Sequence, residues 1–152
     1  MKRNTCWWLI VFCTVVLVGC GQVEEDFNDY LLLTGESDSW ELSGYEVEIT
    51  SETFKAGNGT LHMKNETDEA SDFFHFETHV VMNGEDTVVH SGSVSGPGVD
   101  ISEETTGAIE SGAYLDENGE ALTREDIADI YMIVEWWDPA AEENVHENIE
   151  LY

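Results

Sequence analysis

A chain of 152 residues with 33 acidic side chains against five basic ones carries a formal charge of −28. Such a surface repels phosphate backbones and anionic headgroups, which are held by Lys and Arg clusters, so nucleic-acid binding is disfavoured. The three cysteines, Cys6, Cys13 and Cys20, all fall within the first 20 residues, and nothing after them offers a thiol nucleophile or an internal disulfide.

Taken in chain order, Lys2 and Arg3 precede an apolar run from Cys6 to Val18, which ends at Gly19-Cys20-Gly21. A charged start, a short apolar core and a small residue before a cut are the marks of an export signal. The uncharged stretch Asn4–Val23 is long enough to cross a bilayer, but its strongly apolar core is shorter, which favours a cleaved signal over a retained span. Leu17-Val18-Gly19-Cys20 also resembles the lipobox of bacterial lipoproteins. That resemblance implies cleavage after Gly19 and a thioether-linked diacylglycerol on Cys20. Two acyl chains anchor a protein stably without a spanning helix. The expected place is therefore the cell membrane, lipid-anchored and facing outward, or the periplasmic side in a double-membraned cell.

Loss of residues 1–19 removes Lys2 and Arg3 and leaves Lys55, Lys64 and Arg124 as the basic residues. The acidic residues are scattered along the chain and are not gathered at calcium-ligand spacing. Adaptation to a saline or alkaline exterior, where salt screens the repulsion, is the simpler reading. Residues 20–38 read as an acidic tether, and residues 39–152 as the folded domain. Leu31-Leu32-Leu33, inside that tether, fits either a short edge strand or a docked helical turn.

From Ser39 the pattern turns to period two, the mark of half-buried strands. Trp40 and Leu42 alternate with polar residues, as do Tyr45, Val47 and Ile49. Gly57-Asn58-Gly59 signals a turn, and Thr60–Lys64 a strand. Phe73–Met82 is the longest strand expected; Asn83-Gly84 is a hairpin signal, with Val88–Val94 returning. Gly96-Pro97-Gly98 is expected to break the chain. A weak strand near 108–115, a turn at Asn118-Gly119 and a helix start at Thr123-Arg124-Glu125-Asp126 follow. Tyr131–Trp137 and Val145–Leu151 read as closing strands. Short strands without a long helix argue an all-β antiparallel sandwich.

The segment Gly35-Glu36-Ser37-Asp38-Ser39-Trp40, with Glu135-Trp136 and the final Glu150-Leu151-Tyr152, is similar to small surface lipoproteins of Bacillus-type bacteria. The resemblance implies an immunoglobulin-like sandwich and carries no activity with it.

The histidines form the candidate site. His75, Glu77 and His79 alternate along one strand and share a face. Across Asn83-Gly84, a two-residue turn sets His90 opposite Glu77 and a four-residue turn sets it opposite His79. In both registers His90 joins the same face. Three imidazoles and a carboxylate suit zinc or copper. A plain solvated sheet face is the competing reading, and no cofactor is the base expectation.

The remaining signals are weaker. Asp116-Glu117-Asn118-Gly119-Glu120 has a calcium-like composition, but its glycine comes too early for an EF-hand loop. Asn58-Gly59-Thr60 and Asn65-Glu66-Thr67 match the glycosylation pattern, which is idle in a bacterial lipoprotein. Ser37 and Ser39 have no adjacent histidine, so no hydrolase triad follows. The expected role is a non-catalytic binding or envelope-associated module, with a lipid-tethered metal carrier and an enzyme of unknown reaction as alternatives.

Overall fold

A computed structural model describes residues 27–64 and 70–152, so the signal and Cys20 lie outside the described residues. The chain forms β1 (Asn28–Glu36), β2 (Trp40–Thr50), β3 (Thr53–Gly57), β4 (Thr60–Met63), β5 (Ala70–Met82), β6 (Glu85–Asp100), β7 (Glu103–Thr105), β8 (Ala108–Gly112), β9 (Ile127–Asp138) and β10 (Glu143–Glu150). Among the described residues there is no α-helix. The expected helix start yields one 3-10 turn, Arg124–Asp126, where the Asp126 carboxylate accepts hydrogen bonds from the Thr123 backbone and hydroxyl.

Among the described residues all strand pairings are antiparallel and make two sheets. In sheet A, β1 pairs along one edge of β2, while β4 and β3 share the other edge. β7 then pairs with β4, and β8 with β3. The register against β2 runs on from Glu46↔Gly57 to Ser43↔Thr60, three residues further on each strand. β3 and β4 are therefore one row with a break, and β7 and β8 are another. Sheet B has the order β10-β9-β5-β6.

The breaks align into a crease across sheet A. Gly44 (φ 67°), Asn58 (φ 61°) and Gly107 (φ 66°) occupy neighbouring positions on three successive rows, each in the left-handed region. Asn58 N donates to the Gly107 carbonyl, and Thr106 N donates to that of Gly59. Thr106 Oγ1, buried, accepts from Gly59 N at 3.0 Å and lies 3.0 Å from the Gly107 carbonyl. The threonine hydroxyl thus satisfies the Gly59 amide, which the interrupted ladder would leave unpaired. Gly57, at φ 139°, has no room for a Cβ, which would collide with the Gly107 carbonyl and Ala108.

Between the sheets lies a single apolar core built from alternate residues of both. Trp40 of sheet A is fully buried, its ring 5.3 Å from Phe74 and 5.7 Å edge-on to Trp136, both of sheet B. The segment leading to Trp40 is held by side chains: Ser37 Oγ accepts from Trp40 N, and Glu147 of β10 accepts from Ser39 N and Oγ at 2.8 and 2.7 Å. Gly-Glu-Ser-x-x-Trp is thus a turn that seats a core tryptophan. Of the pair Trp136-Trp137, the first enters the core and the second is half-buried on the outer face.

Two expectations are corrected. The tether does not extend to residue 38, because Leu31 and Leu33 are buried in β1 and the sheet begins at Asn28. Gly96-Pro97-Gly98 does not end its strand. β6 runs on to Asp100, absorbing the extra residues as an irregularity between Phe73↔Ser95 and Ser71↔Val99. β3 and β7 are strands beyond those the pattern predicts; both are short, and β7 (Glu-Glu-Thr) has no apolar residue to reveal a period.

Candidate functional site

The β5–β6 hairpin decides the fate of the histidines. Asn83 (φ 51°) and Gly84 (φ 80°) form the two-residue turn, so Met82 pairs with Glu85 and His79 with Val88. Val89 is then an extra residue, and Thr78 pairs with His90. A one-residue bulge moves every later side chain to the opposite face. His90 therefore enters the core, only 4% exposed, and the expected four-residue set of His75, Glu77, His79 and His90 is not assembled.

The other three share the outer face of sheet B. Glu77 sits between the two imidazoles, 3.2 Å from His75 Nε2 and 3.6 Å from His79 Nε2. His79 Nδ1 lies 2.9 Å from Asp86 Oδ1, Tyr131 Oη donates to Asp86 Oδ2 at 2.6 Å, and the His79 and Tyr131 rings stack at 4.7 Å. The Tyr131 and His79 hydrogen bonds hold the Asp86 carboxyl below the usual aspartate range, and the Asp86 contact pushes the Tyr131 phenol up to about 12. His75 and His79 are four residues apart on an extended strand, about 14 Å between backbones. Among the described residues no three His, Cys, Asp or Glu side chains gather closely enough to hold a metal ion.

Inside the sandwich His90 meets different chemistry. Its Nδ1 lies 2.9 Å from Tyr45 Oη in a fully buried contact, and Phe76 packs edge-on at 5.2 Å. Burial pulls the His90 imidazole below its ordinary value, against a smaller opposing effect of a hydrogen bond to the Thr106 backbone. Burial likewise pushes the Tyr45 phenol up to about 12.

A concavity lies on the outer face of sheet A, beside the crease. A groove of about 280 Å³ is lined by Tyr30, Glu46, Glu48, Lys55, Asn58 and Glu110. Asn58 and Tyr30 donate to Glu46 and hold its carboxyl below the usual range, while the same bond raises the Tyr30 phenol. Lys55 lies 3.4 Å from Glu48 and 3.7 Å from Glu110, one cation among three carboxylates. Tyr30, which lines the groove, and Leu32, cross-strand from Glu46 of its lining, are 55% and 63% exposed. Sequence reasoning missed it because Tyr30 fell within the assumed tether. The signal was present: Tyr30 and Leu32 alternate with the buried Leu31 and Leu33, as Glu46 and Glu48 alternate with Val47 and Ile49.

Comparison with protein-family models, with curated proteins and with solved structures found no match. The fold and sites define an all-β, sandwich-like domain of two antiparallel sheets, with an acidic groove on one outer face and a histidine–carboxylate chain on the other.

Proposed function

We propose that this chain is an exported, lipid-anchored domain of immunoglobulin-like topology, acting as a non-catalytic binding module through the outer face of sheet A. The observation that carries the binding reading is the exposed pair Tyr30 and Leu32 beside a concave, carboxylate-lined groove. Exposed apolar side chains rimmed by polar ones are the usual composition of a contact surface. The negative field over the rest of the molecule steers positively charged partners toward it.

The immunoglobulin-like reading is supported by row order. Setting β1 aside, the first, second and fifth rows of the chain face the seventh, sixth, third and fourth. That is the A-B-E against G-F-C arrangement, with a further row beside C. The anchor reading is supported by Leu17-Val18-Gly19-Cys20 and by the start of β1 at Asn28. Eight residues of chain reach at most about 28 Å, so a lipid on Cys20 keeps the domain close to the bilayer.

Two experiments test this. Expressed in a bacterial host fed labelled palmitate, the full chain should incorporate label, and Cys20→Ala should remain an unlabelled precursor. Label on the variant removes the anchor reading. For binding, the full chain in non-ionic detergent is titrated with a fluorescent penta-lysine peptide. Glu46→Gln with Glu48→Gln should weaken binding several-fold more than Glu143→Gln with Glu150→Gln, the same charge change on β10. Equal losses would mean that net charge alone attracts the peptide, and the groove reading would fail.

A further inference from the structure

The crease has two sides. Outward, Gly57, Asn58 and Ala108 line the groove. Inward, Tyr45 and Thr106 from the same crease reach His90 of the opposite sheet, through the phenol–imidazole hydrogen bond and the Thr106 backbone. We propose that His90 is a pH-sensitive clasp: neutral, it accepts from Tyr45 and ties the crease of sheet A to sheet B, and protonated, it reverses that bond, sits buried without a counter-charge and loosens the crease behind the groove. This goes beyond the binding reading and stands on the buried contacts and on the crease they share with the groove.

The chemistry follows from what surrounds the ring. A neutral imidazole offers one nitrogen as an acceptor, and the Tyr45 hydroxyl, un-ionised up to about 12, is a donor for it. Protonation places a second N–H against that hydroxyl, which must then turn its own hydrogen elsewhere. The groups facing the ring are Tyr45 from β2, Phe76 and Thr78 from β5, and Thr106 between β7 and β8. Tyr45 is the titratable one among them, and none is an anion. The imidazolium is therefore buried without a counter-charge, an arrangement that disfavours the folded form.

The sign is fixed by linkage. Burial lowers the folded-state pKa of His90 below its ordinary value of 6.5, so the unfolded chain binds its proton first as pH falls. The stabilising effect is present in full above about 6.5 and is lost as pH drops from there through the lower folded value. Carboxylates titrate mostly near 4, below the upper part of this window; the exception beside Thr106 is Glu104 of β7, which burial and the nearby Asp100 raise above the usual glutamate range.

The test is a pH titration by NMR of the full chain in detergent, with 13C-labelled histidine and 15N-labelled backbone. The His90 signal is assigned by its loss in His90→Gln, or by its contacts with the Phe76 and Tyr45 rings should that variant not fold. It should titrate with a midpoint below 6.5, and the amides of Asn58, Gly59, Thr106 and Gly107 should shift with the same midpoint. In a folded His90→Gln those amide shifts should vanish from the window. A His90 midpoint at or above 6.5, or crease amides that stay still while His90 titrates, would overturn the proposal.

Discussion

Tyr45 Oη and His90 Nδ1, 45 residues apart in the chain, meet at 2.9 Å in a buried contact that joins the two sheets. The contact exists because Val89 bulges out of the β5–β6 ladder and turns the next residue inward. A buried polar pair of this kind adds little while complete and is expensive when half of it is removed.

Tyr45→Phe should therefore destabilise the domain by about 1–3 kcal/mol, because the ring still packs while His90 loses its partner. Urea denaturation is the measurement, and the midpoint should fall with an unchanged slope. An unchanged midpoint would mean that His90 finds another partner at no cost.

Thr106→Val keeps the shape and deletes the hydroxyl that serves Gly59 and Gly107. A loss of about 1–3 kcal/mol is expected from the orphaned Gly59 amide. Hydrogen exchange separates this from a global effect: Gly59 should exchange faster in the variant by a larger factor than amides of β9. Uniform acceleration would refute a local role.

The boundary at Asn28 has a direct consequence. A chain beginning at Phe27 retains β1, whereas one beginning at Ser37 loses the β1–β2 ladder and the buried Leu31 and Leu33. Two buried leucines are worth about 3–6 kcal/mol together, against a usual total of about 5–15. The shorter chain should melt far below the longer one or fail to fold, and equal melting temperatures would return β1 to the tether.

On the outer face of sheet B, Glu77 separates two imidazoles that their strand holds apart. Micromolar zinc should therefore raise the melting temperature no more than equal magnesium, since both ions relieve the same negative charge. A zinc-specific rise that disappears in His75→Ala with His79→Ala would show that these side chains can converge after all.

Much of the architecture was legible in the residues. Period-two alternation from Trp40 to Ile49 and from Phe73 to Met82 marked strands, and Asn83-Gly84 marked the hairpin between the second of these and the next strand while leaving its turn length open. These signals are local, because side-chain direction along a strand and positive φ in a turn depend on neighbouring residues alone. Composition likewise set the charge against nucleic acid and left the domain no disulfide to rely on.

The remaining features depend on pairing between distant strands. Leu31 to Leu33 became a strand because β2 offered it a free edge, and three separate breaks became one crease because their rows align. His90 left the outer face because one added residue between Thr78↔His90 and His79↔Val88 reverses the side-chain alternation. Nothing in Val88-Val89-His90 marks which valine bulges. That choice belongs to the core, which gains Val89 at its margin and closes around an imidazole held by Tyr45.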